Sequence, residues 1–302
     1  MKNQNKAYFF ALLTVALWST MSSAFKLTLG FMSFDNLLFW SVLFACISVG
    51  ILLILSGRYK LLKQLTRQQL IRSAIYGLLN PFAYYLVLFR AYELLQAQEA
   101  GVLNYTWPVV LVILSVIFLK QKISRLSILA ILISFMGLLV ISTKGDILHM
   151  NFQNPYGAFL AVGSSIIWAS YWIINLNDKR EEISKIFINL FFGFLYISVY
   201  KLAFSPIETP PLKGLLGAIY IGVFEMGITF VLWLMALKLS TTTAKVSNLI
   251  FLSPFIALFF ISIFVGEKIH PTTIFGLILI ISGIFLQQFK SKKDRPVNIK
   301  TT

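Results

Sequence analysis

The chain has 302 residues, 58% of them hydrophobic and 12% charged, with a mean hydropathy of +0.82. A water-soluble domain carries about twice that share of charge, so a soluble globular fold is excluded and lipid is the natural solvent. The net charge of +15 sits in short clusters between apolar runs rather than along one polar face, which argues against a nucleic-acid binder.

A stretch of about 20 apolar residues is long enough to cross a bilayer as a helix. Such runs fall at 7–28, 34–56, 71–92, 98–119, 125–143, 155–176, 185–204, 213–236, 243–265 and 271–289. They predict an all-α membrane protein of ten transmembrane helices with short connectors, followed by a polar tail over 291–302. Lys2 and Lys6 precede the first run and Ser22-Ser23-Ala24 lies near its end; it is expected to be a retained helix rather than a cleaved signal. The seventh run is short and ends near Lys201, and the eighth contains Glu225. Cys46 is the only cysteine and lies inside an apolar run, where it reads as a small buried hydrophobe.

Basic loops stay cytoplasmic. With the N-terminus inside, Lys26, Arg90, Lys144, Lys201, Lys213 and Lys268 fall on the outer side, and the other Lys and Arg residues of the 26 fall inside. This imbalance predicts an even helix number with both termini cytoplasmic.

An internal repeat runs through the chain. At an offset of 146, Pro108 falls on Pro254, Lys122 on Lys268 and Gly137 on Gly283; at 145, Gly77 falls on Gly222, Asn80 on Glu225 and Ala91 on Ala236. Trp18 falls on Trp168. Each repeat holds five helices. Because five is odd, the second repeat is predicted to be inverted relative to the first, with a site between them near the midplane. The repeats are read as 1–145 and 146–290.

No phosphate-binding loop, GxGxxG, HExxH or serine elbow occurs. Neither nucleotide-driven transport nor enzymatic catalysis is therefore expected, and no cofactor or metal is implied. Glu225 is the one carboxylate predicted in mid-helix, where an ionisable side chain faces protein or water rather than lipid. It either binds a cationic group or a proton in a pathway, or holds helices together by a hydrogen bond. Its repeat mate Asn80 is also polar. Trp18, Tyr84, Tyr85, Tyr105, Trp107, Trp168, Tyr171 and Trp172 form a predicted aromatic set whose polar atoms need partners. As the wall of an internal cavity the set suits flat, amphipathic or cationic solutes; the other reading is ordinary packing between helices. Pro108 and Pro254 are predicted as matched kinks or hinges.

Two stretches carry a family resemblance. One runs from Glu99-Ala100-Gly101 through Asn104-Tyr105-Thr106-Trp107-Pro108 to Lys120-Gln121-Lys122. The other runs from Gly222-Val223-Phe224-Glu225-Met226-Gly227 through Ala236-Leu237-Lys238 to Pro254 and Gly266-Glu267-Lys268. Both resemble the tandem EamA domains of the drug/metabolite transporter superfamily. The resemblance implies ten helices in a bacterial inner membrane, a cavity formed mainly by helices 1, 3, 4, 6, 8 and 9, and export of small metabolites. Leu17-Trp18-Ser19-Thr20-Met21, with Asn104-Tyr105 and Trp107-Pro108, looks most like the aromatic amino acid exporters. The expected protein is a secondary transporter working by alternating access. It acts as a monomer on a small-molecule substrate in membrane lipid, without nucleic acid or nucleotide. A non-transporting membrane scaffold or sensor is the alternative.

Overall fold

A computed structural model describes residues 3–107, 110, 113–114, 117, 125–142, 145–146, 154–175, 178, 180–239, 249 and 252–291. Among the described residues all regular structure is helical. The helices are α1 (Gln4–Leu29), α2 (Phe34–Leu55), α3 (Arg67–Gly77), α4 (Tyr84–Leu94), α5 (Ala97–Asn104), α6 (Arg125–Ser142), α7 (Pro155–Asn175), α8 (Glu182–Phe204), α9 (Leu212–Ile221), α10 (Ile228–Leu239), α11 (Ser253–Phe260) and α12 (Pro271–Ser291). Four stretches among the described residues are long and apolar enough to cross a membrane: Gln4–Leu29, Phe34–Leu55, Glu182–Phe204 and Leu212–Ala236. Leu202 is 81% exposed and Phe204 77% exposed, which water would oppose and lipid accepts.

Local chemistry sets the helix ends. Thr66 and Gln69 form a reciprocal capping box that starts α3. The Glu181 carboxylate accepts from the backbone N–H groups of Ile183 and Ser184 and starts α8. The predicted run 71–92 begins earlier, at Arg67, and is interrupted. Pro81 has no N–H to give to the preceding turn, and a residue before proline is disfavoured in the helical region. Asn80 accordingly adopts φ −147° and ψ 118°, so Leu78–Ala83, a π-type segment, is broken by a kink at Asn80 where it joins α3 to α4. A second π-helical segment, Gly222–Gly227, joins α9 to α10, and a third, Ile261–Val265, follows α11. At the second the Thr229 hydroxyl donates to the Phe224 carbonyl, satisfying a group that the widened turn would strand.

The two halves interleave. α1 packs on α9, α10 and α11, and α7 packs on the first π segment, α4 and α5. α2 packs on α8, α9 and the second π segment, while α8 packs on α2, α3 and the first π segment. α6 pairs closely with α12. Glycines permit these approaches. A Cβ on Gly77 would stand 2.5 Å from the Asn189 carbonyl oxygen and 2.8 Å from the Gly193 nitrogen; one on its repeat mate Gly222 would collide with the Ser41 carbonyl of α2.

Polar ties close both ends. At the end where α1 stops, Lys26 donates to the carbonyls of Tyr92 and Leu95. Nearby, Glu267 accepts from the N–H groups of Ala97 and Gln98 at 2.8 and 3.2 Å, so a residue of the second half caps α5 of the first. Lys201 of α8 pairs with Asp35 of α2 at 2.7 Å, with both side chains buried. At the opposite end Arg180 pairs with Asp178 and donates to Ser73 of α3 and to the Gln69 carbonyl.

Candidate functional site

The bundle centre is built where Leu78–Ala83 faces α7 and Gly222–Gly227 faces α1. Tyr84 stacks on Trp168 with centroids 4.7 Å apart, and Trp168 stacks on Tyr171 at 5.9 Å. Phe230 meets the Trp168 ring edge-on at 5.6 Å and that of Trp18 at 6.4 Å. Trp18 also contacts Trp233. Six aromatics from α1, α4, α7 and α10 thus form one continuous cluster. Such ring pairs contribute about 0.5–1.5 kcal/mol each beyond the area they bury.

Polar groups are threaded through it. The Tyr84 hydroxyl donates to Asn104, whose amide donates to Ser164 of α7 at 2.9 Å. The Tyr85 hydroxyl donates to Glu225 Oε1 at 3.0 Å. Glu225 Oε2 is buried without a partner, although the residue as a whole is only half-buried. The Trp18 indole nitrogen is also buried and unpartnered. Asn80, Tyr171, Asn189, Met226 and Phe230 line a crevice beside the stack, no roomier than one water molecule. The sequence led us to expect a hydrated cavity with aromatic walls. Instead, in this state, the faces of Tyr84 and Trp168 cover each other.

Trp18, Tyr84 and Trp168 are brought together, with Glu225 one side chain away through Tyr85. Asn80 lies on the crevice. Tyr105 caps the C-terminal end of α5, and Trp107 packs half-buried against the main core. The side chain of Trp172 and all of Pro108 lie outside the described residues. Pro254 stands in the first turn of α11, where the missing N–H removes no described intrahelical bond; of the residues just before it, 240–248, 250 and 251 lie outside the described ones. Among the described residues Pro81 interrupts a helix. Phe230, a member of the cluster, escaped sequence reasoning. It is the repeat mate of Tyr85 at the offset of 145 that pairs Asn80 with Glu225, a signal that would have found it.

Comparison with known proteins identifies the frame around this centre. The EamA-like transporter family matches residues 5–143 and again 155–287. The chain belongs to that family. An uncharacterized transporter of Clostridium kluyveri is 25% identical over 95% of this chain and 94% of its own length. The aromatic amino acid exporter YddG of Escherichia coli is 24% identical over 76% of this chain and 79% of its own. A crystal structure of a protein superposes with a TM-score of 0.67 and 16% identity, covering 96% of this chain and 99% of that one, and speaks for the fold alone. This EamA-family chain is an integral membrane transporter, and neither the family nor these relatives are enzymes.

Proposed function

We propose that the protein exports small amphipathic metabolites, amino acids among them, by alternating access around the aromatic and carboxylate centre. The observation that carries this reading is that two irregular helical segments at repeat-matched positions, one broken at Asn80 and one a π turn at Glu225, each present a polar residue beside a shared aromatic stack. A π turn such as Gly222–Gly227 recurs at functional sites, where it re-aims side chains and frees backbone groups. The exchange of packing partners between α1 and α7, and between α2 and α8, supports two inverted repeats of five spans. Ten spans with both ends in the cytoplasm of a bacterial cell, in its inner membrane, follow from that arrangement and from the distribution of Lys and Arg. The likeness to an aromatic amino acid exporter supports a flat, ring-bearing solute.

In this reading each substrate wedges between Tyr84 and Trp168, and the ties at the two ends of the bundle open in turn. A thermal-shift panel of amino acids, nucleosides, polyamines and cationic drugs on the purified protein tests it. At least one class should raise the melting temperature, since a ligand of the native state stabilises it. A flat response across the panel, with no solute counterflow in proteoliposomes, would favour a scaffold or sensor.

A further inference from the structure

The charge of the centre narrows the solute further, provided that the cluster around Glu225 is the substrate site. Glu225 has one oxygen held by Tyr85 and one buried with nothing to accept from. The Tyr84 ring packs edge-on against that of Tyr85, and no ion pair among the described residues involves Glu225. The described cations nearest the core are engaged at the bundle ends: Lys26 with backbone carbonyls, Lys201 with Asp35, and Arg180 with Asp178. A lone acceptor beside aromatic faces complements an ammonium group on a flat apolar body, through a charge-assisted bond and cation–π contact. A zwitterion would bring a second carboxylate into the same apolar surroundings, where an unpaired charge is costly and like charges repel.

We infer that this centre selects monocationic arylalkylamines over the amino acids that carry the same ring, with Glu225 as the countercharge of the ammonium. Three probes that share a phenyl ring isolate the charge: phenethylamine, phenylalanine and 3-phenylpropionate. Binding to the full-length protein in detergent at neutral pH, read by thermal shift and by calorimetry, should be tighter for phenethylamine than for phenylalanine by about tenfold or more. The anion should not bind measurably. Glu225→Gln should erase the preference for the amine. Phenylalanine matching or exceeding phenethylamine on the wild-type protein would overturn the inference while leaving the transporter reading intact. So would a preference that survives in Glu225→Gln, or silence from all three probes. Should Glu225→Gln fail to fold, the wild-type series alone decides. Counterflow of other solutes tests the transporter reading separately.

Discussion

The Tyr85 hydroxyl donates to Glu225 Oε1 across 3.0 Å, joining α4 of the first half to the π-helical segment Gly222–Gly227 of the second. The bond gives a buried carboxyl its one described donor and fixes which way Glu225 faces. Tyr85→Phe should therefore destabilise the protein by about 1–3 kcal/mol, the cost of leaving a buried acceptor unsatisfied. Denaturation in detergent measures this. Glu225→Gln in the same background should add less than it does alone, because the two side chains share one interaction.

The Asp35–Lys201 pair predicts a sharper effect. The Lys201 side chain has no exposed surface, and Asp35 also accepts from Ser205. Removing one partner of a buried pair costs about 3–5 kcal/mol because the other charge is stranded. Lys201→Met should be severely destabilised, and Asp35→Asn combined with Lys201→Met should recover most of the loss. Comparing melting temperatures of the three variants checks this.

Glycine at the helix crossings makes a steric prediction. Gly77→Ala would push a methyl group against the Asn189 carbonyl and the Gly193 nitrogen. Overpacking of this kind costs about 1–3 kcal/mol. Gly222→Ala, its repeat mate, which packs against α2, should behave alike. Gly57 has nothing within 4 Å of an added Cβ but a φ of 69°, so Gly57→Ala tests backbone strain rather than crowding and should cost about 1 kcal/mol.

The Arg180 end should loosen in acid. Burial works to raise the Asp178 carboxyl, but the bonds and charge of Arg180 outweigh it and hold it below the ordinary carboxylate range. Glu181 is likewise pulled down against its burial, by Ser184, the backbone of Ile183 and Arg58. A depressed carboxyl contributes stability that is present above its unfolded value, about 4, and is lost as pH falls through the lower folded value. Protease sensitivity of the segment around residue 178 should rise below about pH 4. Asp178→Asn should show the raised sensitivity already at neutral pH.

Much of this was legible in the sequence because lipid imposes simple rules. Apolar length predicts α1, α2 and α8 to within a few residues, since no other structure hides backbone polar groups in hydrocarbon. The pairing of Asn80 with Glu225 was readable from the repeat. The break at Asn80 was less so: an apolar run of the right length masks a proline inside it, and hydropathy is blind to the backbone. The bond from Tyr85 to Glu225 was not readable, because adjacent tyrosines on a helix point about 100° apart and one sequence does not say which of the two meets the carboxyl.

Counterflow into proteoliposomes tests transport through this centre most directly. Vesicles loaded with unlabelled phenylalanine or phenethylamine and diluted into the labelled compound should accumulate it when they hold the wild-type protein. Uptake should fall at least about tenfold for Glu225→Gln and for Trp168→Ala when both reconstitute to the same level, a loss of about 1.4 kcal/mol or more in binding or barrier. Wild-type rates in both variants would contradict a substrate site at Glu225 and the Tyr84–Trp168 stack.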